Sequence, residues 1–495
     1  MSRRKKRTPQ LNTAAHTQAA ALERFQPLLP ASEWPALLAE LEKPLTPALR
    51  VNPLKTNPGD VQTWASRYGW EMQPVPFSPA GWWIKQFAQT VSQTIEHRMG
   101  HYYIQEAASM LPVELFDIPA NSSPLVLDLA ASPGGKTTHL VARTLDRGLV
   151  IANDSGLDRI TALRLVLQTW GAANIAATRF PAEKFGRWFP NTFDLVLLDA
   201  PCSMQSLRST ESHSLRPIST REQNALARRQ TTMLISALAA LKPGGQVVYS
   251  TCTLAPEENE AVLDAVLARY PNSLRIEPLE QRLSVPAPAL ASAYGHSFDP
   301  QVANAARLWP HRYGTAGFFA AWITKTGPVE LPGEPAPARP LEAVGQRALS
   351  PQEHSDLIGR FQSNYGHDLA DVLGNLNLDL YHSPGAVYAV PRRYLEQFRD
   401  FPCQLLGLKL VEQTPGGWQP AHDWVSRFGR HFTDGRVILD EQASAAWLRG
   451  QDVPRSGAAR REDSLLVVVD DHGRILGRGR PQGEQVKNLL PRRFF

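Results

Sequence analysis

Residues 125–138 read LVLDLAASPGGKTT: an apolar run that stops abruptly in small residues, a proline, two glycines and Lys-Thr-Thr. Residues 193–203, FDLVLLDAPCS, and 245–253, GQVVYSTCT, repeat the pattern. A continuous apolar run without alternation is how a strand reads when both its faces are buried in a parallel sheet. The abrupt change to small and reactive residues then marks its carboxyl end. The second and third runs finish in Cys202 and Cys252, two of only three cysteines among 495 residues. So scarce a residue seldom falls twice in one context by chance.

Working outward from these runs, residues 124–325 alternate regularly. Strands are predicted at 125–130, 149–153, 175–178, 193–199, 246–250 and 318–323, and helices from Lys136, over 157–169 and over 221–241, with a turn at 242–245. Strands alternating with helices of this length predict a doubly wound α/β sheet of the Rossmann kind, assigned here to residues 116–326. Ahead of it, residues 15–115 read as a small α/β domain that opens with two short helices, Ser32 being an N-cap for the second. Residues 1–14 are polar, basic and aperiodic, the composition of a disordered tail. Residues 327–347, rich in Pro, Gly and Ala, read as a linker. Residues 348–495 read as a separate β-rich module or pair of modules. Their closing stretch, LLVVVDDHGRILGRGRPQG (465–483), is a hairpin with a basic return strand.

The net charge of +5 equals the charge of Arg3-Arg4-Lys5-Lys6-Arg7 alone, so the rest of the chain is balanced. Arg474, Arg478, Arg480, Lys487, Arg492 and Arg493 concentrate positive charge at the other end. Cationic patches at both termini suit nucleic acid; they equally suit a solubilising tail and a solvated face. Nothing approaches the ~18–20 apolar residues of a membrane span, and the N-terminus lacks the apolar segment of a secretory signal. Three scattered cysteines make neither a disulfide framework nor a zinc site. A cytoplasmic protein without membrane or metal is expected.

Strand, glycine turn and helix N-terminus over Asp128–Lys136 form a site for a polar or anionic group. Asp154, closing the second strand, stands where a carboxylate accepts hydrogen bonds from ribose hydroxyls, so an adenosine-bearing cofactor is the natural occupant. The rival is a phosphate-binding loop of a nucleotide hydrolase, since Gly135-Lys136-Thr137 matches the end of its motif. That motif needs glycine at position 130, which is Ala, and a hydrolase leaves Cys202, Cys252 and Asp154 unexplained. The blandest reading is a structural turn with no ligand. Two thiols at neighbouring strand ends would meet across the crevice of a doubly wound sheet. Burial as small hydrophobes is the bland reading, and it suits Cys403, between Phe401 and Leu405.

Asp128-Leu-Ala-Ala-Ser-Pro-Gly-Gly-Lys-Thr, Asp199-Ala-Pro-Cys-Ser and Tyr249-Ser-Thr-Cys-Thr resemble the successive motifs of the Nop/Sun family of RNA cytosine-5 methyltransferases. Arg50-Val-Asn-Pro-Leu-Lys and Tyr103-Ile-Gln-Glu-Ala-Ala-Ser-Met-Leu-Pro match that family's N-terminal signatures. The resemblance implies S-adenosylmethionine as cofactor, held by Ala130, Ala131, Ser132, Pro133, Gly134, Gly135, Lys136, Asp154 and Asp199. It implies methylation of C5 of a cytosine in RNA, ribosomal rather than transfer RNA, with Cys252 as nucleophile, Cys202 assisting resolution of the adduct, and Asp199 on the base. Residues 348–495 are similar to pseudouridine-synthase-associated (PUA-like) RNA-binding domains, which makes Arg50, Lys55, Arg478 and Arg480 the phosphate contacts of a monomer. Two departures stand out. Relatives have a Gly-acid-Gly turn where this chain has Met204-Gln205-Ser206, and an Asp near the adenine where it has Pro181, with Glu183 as a substitute. A catalytically idle RNA-binding assembly factor is the alternative that the intact cysteines argue against.

Overall fold

The computed structural model describes residues 21–492 except 58, 209–214, 281, 415–416 and 456–464. The basic tail and Arg493 lie outside the described residues. At the centre is a twisted nine-stranded sheet, and its main strands are β1 (Leu125–Asp128), β2 (Leu149–Asn153), β3 (Ile175–Thr178), β4 (Phe193–Asp199), β5 (Leu241–Thr251), β6 (Leu274–Ile276), β7 (Phe318–Lys325) and β8 (Leu405–Leu406). Their spatial order is β6-β7-β5-β4-β1-β2-β3-β8, and a short strand, Ala306–Leu308, pairs with β7. β1 pairs in parallel with both β2 and β4, so the winding reverses there and a crevice opens above their carboxyl ends. The late strand β7 is antiparallel to β5.

Burial on both faces explains the unalternating runs. Leu125 and Leu127 face Phe193, Val196, Leu198 and the helix Thr220–Ala240 on one side. Val126 faces Leu140 and Val141 of α1 (Gly135–Arg143) and Leu163 and Leu167 of α2 (Leu157–Trp170) on the other. Each such side chain contributes about 1.5–3 kcal/mol on leaving water.

The N-terminal domain holds a four-stranded antiparallel sheet, Glu71–Val75, Ser78–Gln86, Ala48–Val51 and Tyr102–Ile104. Its helix Trp34–Leu41 is entered through Glu33, and Ser32 makes no cap. The Glu33 carboxylate is instead committed to His311 and Arg312 of the catalytic domain, both at 2.8 Å. That long-range pairing is invisible to local sequence.

The stretch read as a linker, 327–347, and the β-rich region after it both pack against the catalytic domain. Val329 and Leu341 of the 327–347 stretch are buried, and Glu334 pairs with Lys184 at 2.8 Å. The segment is a strap across the catalytic domain. Beyond it, β8 adds to the catalytic sheet itself, with Leu405 opposite Ala177 and Leu406 opposite Ala176. Phe398 stacks on Phe193, and Phe401 sits among Phe180, Phe185, Trp188 and Phe189. The rest of the C-terminal region forms two five-stranded sheets, one starting at Arg347 and one at Arg436. Among the described residues no helix is long and apolar enough to cross a membrane, and no cluster of His, Cys, Asp and Glu could hold a metal ion.

Candidate active site

β1 delivers Asp128 to the floor of the crevice. One carboxylate oxygen accepts from the Thr137 hydroxyl at 2.7 Å; the other is enclosed without a partner. Burial pushes this carboxyl up to about 7. The chain then turns through Ala130–Pro133 to Gly134, whose φ of +116° suits only glycine. At Gly135 a side chain would come within 2.9 Å of the Tyr103 ring. A cavity of about 210 Å³ lies between this loop, Tyr103, Glu106, Asp128, Lys136 and Asp199.

Arg50 braces that loop from behind. Its guanidinium donates to the Gly135 carbonyl at 2.9 Å, to the Thr138 hydroxyl at 2.7 Å and to Gln105 at 3.0 Å, and lies 4.7 Å from the Trp170 ring. It is fully buried, and burial lowers its pKa to about 9. The expectation that Arg50 reaches an RNA phosphate is therefore corrected. Lys55 is enclosed too, donating to the Met99 and Thr169 carbonyls and the Ser426 hydroxyl. Arg478 is spent on Glu412 and, at 2.7 Å, on the Pro420 carbonyl. Arg474, in the same hairpin, pairs with Glu96 at 2.8 Å. Of the four proposed phosphate contacts only Arg480 is left partly exposed. Sequence reveals a positive charge but not the carbonyl groups that wait for it.

Asp154 closes β2 and is nearly buried. It accepts from the Gly156 N–H at 2.9 Å, from Arg159 Nε at 3.0 Å and from the Ser132 N–H at 3.3 Å. The Ser132 hydroxyl donates in turn to the Arg159 carbonyl at 2.9 Å. Arg159, which the sequence did not single out, thus ties the acidic group to the glycine loop. Pro181 leads into a short turn, and Glu183 is paired with Arg229 at 3.0 Å.

The thiols meet because β4 and β5 are in register. Asp199 stands opposite Ser250, whose hydroxyl it accepts at 2.8 Å, and both strands run on by a few residues into the cysteine loops. Cys202 Sγ and Cys252 Sγ are 3.2 Å apart, free and partly exposed. The hydrogen bond with Cys202 lowers the Cys252 pKa against burial and the Asp199 charge, with the Lys136 cation assisting. The same bond, with burial, raises Cys202 well above the ordinary thiol range. The two shifts favour the thiolate at Cys252 over Cys202. Lys136 donates to Asp199 at 2.8 Å; burial opposes its charge, but Asp199 more than offsets this and raises its pKa. Met204, where the resemblance leads one to expect glycine, holds φ at +57° and is 43% exposed beside the thiols.

Two further residues of the site escaped sequence reasoning. Glu258 accepts from the Ser203 N–H at 2.9 Å, and Asn259 bonds Thr251 and Thr253 at 2.6 and 2.9 Å. The available signal was the polar run Glu257-Glu258-Asn259-Glu260 directly behind a reactive strand end.

Residues 118–324 match the family model described as 16S rRNA methyltransferase RsmB/F, and residues 19–107 match the N-terminal domain of 16S rRNA methyltransferase RsmF. The chain is 32% identical over 468 residues to the ribosomal RNA small subunit methyltransferase F of Aeromonas salmonicida, covering 92% of each. It is 32% identical over 459 residues to that of Klebsiella pneumoniae, covering 92% of this chain and 91% of that one. A solved methyltransferase homolog from Pyrococcus horikoshii superposes with a TM-score of 0.55 at 30% identity, over 64% of this chain and all of that one. With the glycine loop, the acidic strand ends and the paired thiols in place, the chain belongs to the RsmB/F family of S-adenosylmethionine-dependent rRNA methyltransferases.

Proposed function

We propose that this protein methylates C5 of a cytosine in small-subunit ribosomal RNA through a covalent bond between Cys252 and C6. The observation that carries the reading is the pair of free thiols 3.2 Å apart, one favoured as thiolate and one as thiol, beside Lys136 and Asp199.

The residues around the glycine loop fit the cofactor. The unpartnered Asp128 oxygen, Lys136 and Asp199 line one polar cavity with Ala130–Pro133 and Gly135, and Asp154 ties its loop through the Ser132 N–H. In this reading Ala130–Lys136, Asp154 and Asp199 hold S-adenosylmethionine. That cofactor supplies the electrophilic methyl group, carried on a sulfonium, which an activated C5 accepts.

Cytosine C5 is too weak a nucleophile until a thiolate adds to C6 and leaves C5 enamine-like. Cys252 makes that bond. Asp199 accepts from the N4–H of the base, and a proton passed to N3 from the Lys136–Asp199 pair neutralises the charge that builds on the ring as C6 is attacked. The C5 proton passes to water in the crevice as the C6–S bond breaks, and Cys252 leaves as a thiolate to which the Cys202 S–H donates, which restores the aromatic ring. The target base has to be unstacked to enter the crevice. The outer domains, residues 15–115 and 348–495, engage the flanking RNA.

The order of steps makes the two cysteines distinguishable. Cys252→Ala abolishes methylation and forms no adduct. Cys202→Ala still attacks and accumulates as a slow RNA-bound band on a denaturing gel with S-adenosylmethionine present. A band from Cys252→Ala alone reverses the roles; methylation without any trapped species in either variant removes the covalent mechanism.

A further inference from the structure

Beyond β4 no sheet ladder holds Cys202: residues 200–206 carry no regular secondary structure, yet its sulfur sits at hydrogen-bond distance from Cys252. The segment is anchored at its ends, where the Ala200 N–H donates to the Ser250 carbonyl at 2.8 Å and the Gln205 carbonyl accepts from the Leu254 N–H at 3.0 Å, and next to Cys202 itself by one carboxylate. The Ser203 N–H donates to Glu258 at 2.9 Å, and the Ser203 hydroxyl donates to the other Glu258 oxygen. On the opposite side of Cys202, the Pro201 carbonyl accepts from the Gln230 amide at 2.9 Å, and that amide also donates to Glu258 at 2.9 Å. Residues 201 and 203 are thus both tied, directly or through Gln230, to Glu258, which is wholly buried.

The adjacent residue does the same for the other thiol. Asn259 accepts from the Thr251 hydroxyl at 2.6 Å and donates to the Thr253 carbonyl at 2.9 Å, the two neighbours of Cys252. The segment is fixed in turn by Glu260, paired at 2.6 Å with Arg307; both are fully buried, and Arg307 also donates to the Leu254 carbonyl at 2.8 Å. We propose that Glu258 is a positioning residue that, side by side with Asn259, sets the separation and alignment of Cys202 and Cys252.

Chemistry favours a carboxylate here over an amide. Ser203 brings two donors and Gln230 a third; a carboxylate accepts all three as they stand, whereas an amide requires the Ser203 hydroxyl to turn and accept. A glutamine would turn its own N–H groups toward one of them. The bond to Cys252 and burial raise the Cys202 pKa, and the Glu258 charge adds to them.

The test uses the full-length protein and Glu258→Gln. S-adenosylmethionine affinity stays within about twofold and the RNA KM within about threefold, while kcat falls roughly ten- to a hundredfold, the scale on which a ~1 Å misplacement acts. A second readout needs no RNA: iodoacetamide labelling across pH, with each cysteine quantified by peptide mass spectrometry. The groups facing the thiols are Lys136, Asp199, Tyr249 and Glu258, and only the last is altered. Wild type labels Cys252 first; E258Q loses that preference. Should E258Q lose its melting transition, Ser203→Ala, which deletes only the hydroxyl donor, is read instead and shifts both readouts the same way by less. A folded variant with kcat within twofold and unchanged labelling preference overturns the proposal, as does a lower melting point with both readouts intact. The inference rests on the covalent reading above, but the labelling experiment fails separately from it, because it requires neither adduct nor methyl transfer.

Discussion

The crevice and the seams around it use the same residue types to opposite ends. At the seams, Arg50, Lys55 and Arg478 are buried and directed at carbonyl groups of neighbouring segments. In the crevice, Lys136 and Asp199 keep part of their surface open, Asp128 retains an oxygen without a partner, and two thiols face each other without bonding covalently. Seam cations are enclosed and mostly spent on the fold, although Arg50 Nη1 and Arg478 Nε lack a partner; crevice charges stay partly open to a ligand. A seam substitution should therefore cost stability, and a crevice substitution should cost affinity or rate.

The severest test of the seam is removal of everything after residue 330. That cut deletes β8, the Phe398–Phe401 aromatic contacts and the strap. We expect an insoluble chain or a loss exceeding ~5 kcal/mol, the range reached when a core is opened. A soluble, truncated protein with wild-type cofactor affinity would show the seam to be dispensable.

Lys55→Met removes three hydrogen bonds and leaves their acceptors buried. We expect unfolding in urea to report a loss of about 2–4 kcal/mol, with the salt dependence of RNA binding unaltered. Intact stability with a shallower salt slope would return Lys55 to the RNA interface.

Asp154→Ala probes the crevice. Losing one or two charge-assisted hydrogen bonds, each worth about 1.5–3 kcal/mol, weakens S-adenosylmethionine roughly ten- to a hundredfold. The melting point should fall less than for Lys55→Met, because Arg159 is free to turn to solvent. Calorimetry that finds equal affinity in the two proteins would move the ribose elsewhere.

Asp128→Asn is the subtlest. The folded carboxyl, at about 7, lies above its ordinary 3.8, so the folded state holds the extra proton between those values. Its contribution thus favours folding at low pH and is lost as pH rises toward 7. Asparagine cannot ionise, so the variant's advantage over wild type should grow between pH 5 and pH 8 by about 2–3 kcal/mol, under a ceiling of about 4. An advantage that stays flat with pH would mean that Asp128 is charged throughout.

The catalytic sheet was legible because burial on both faces writes itself into sequence as unbroken apolar runs, and because β4 and β5 stop beside one another. The register that sets Asp199 opposite Ser250 needed no more than those two runs. The direction of long cationic side chains was not legible: Arg50 reads identically whether it meets a phosphate or the Gly135 carbonyl. Nor was β8, since two residues carry no periodicity, or β6, only three residues long. Glu258 and Asn259 escaped because an acidic run at a helix start reads as a solvated, dipole-favoured N-terminus. Only the fold shows it turned inward.

The pairing of β8 with β3 also bears on the order of synthesis. β3 leaves the ribosome with an open edge, and the strand that covers it follows ~230 residues later. At ~5–20 residues per second that interval is roughly 10–45 s. For that time the catalytic sheet presents unpaired backbone groups of the kind that recruit other nascent chains. Slowing translation between codons 180 and 400 should raise the aggregated fraction of this protein without altering a single residue of it.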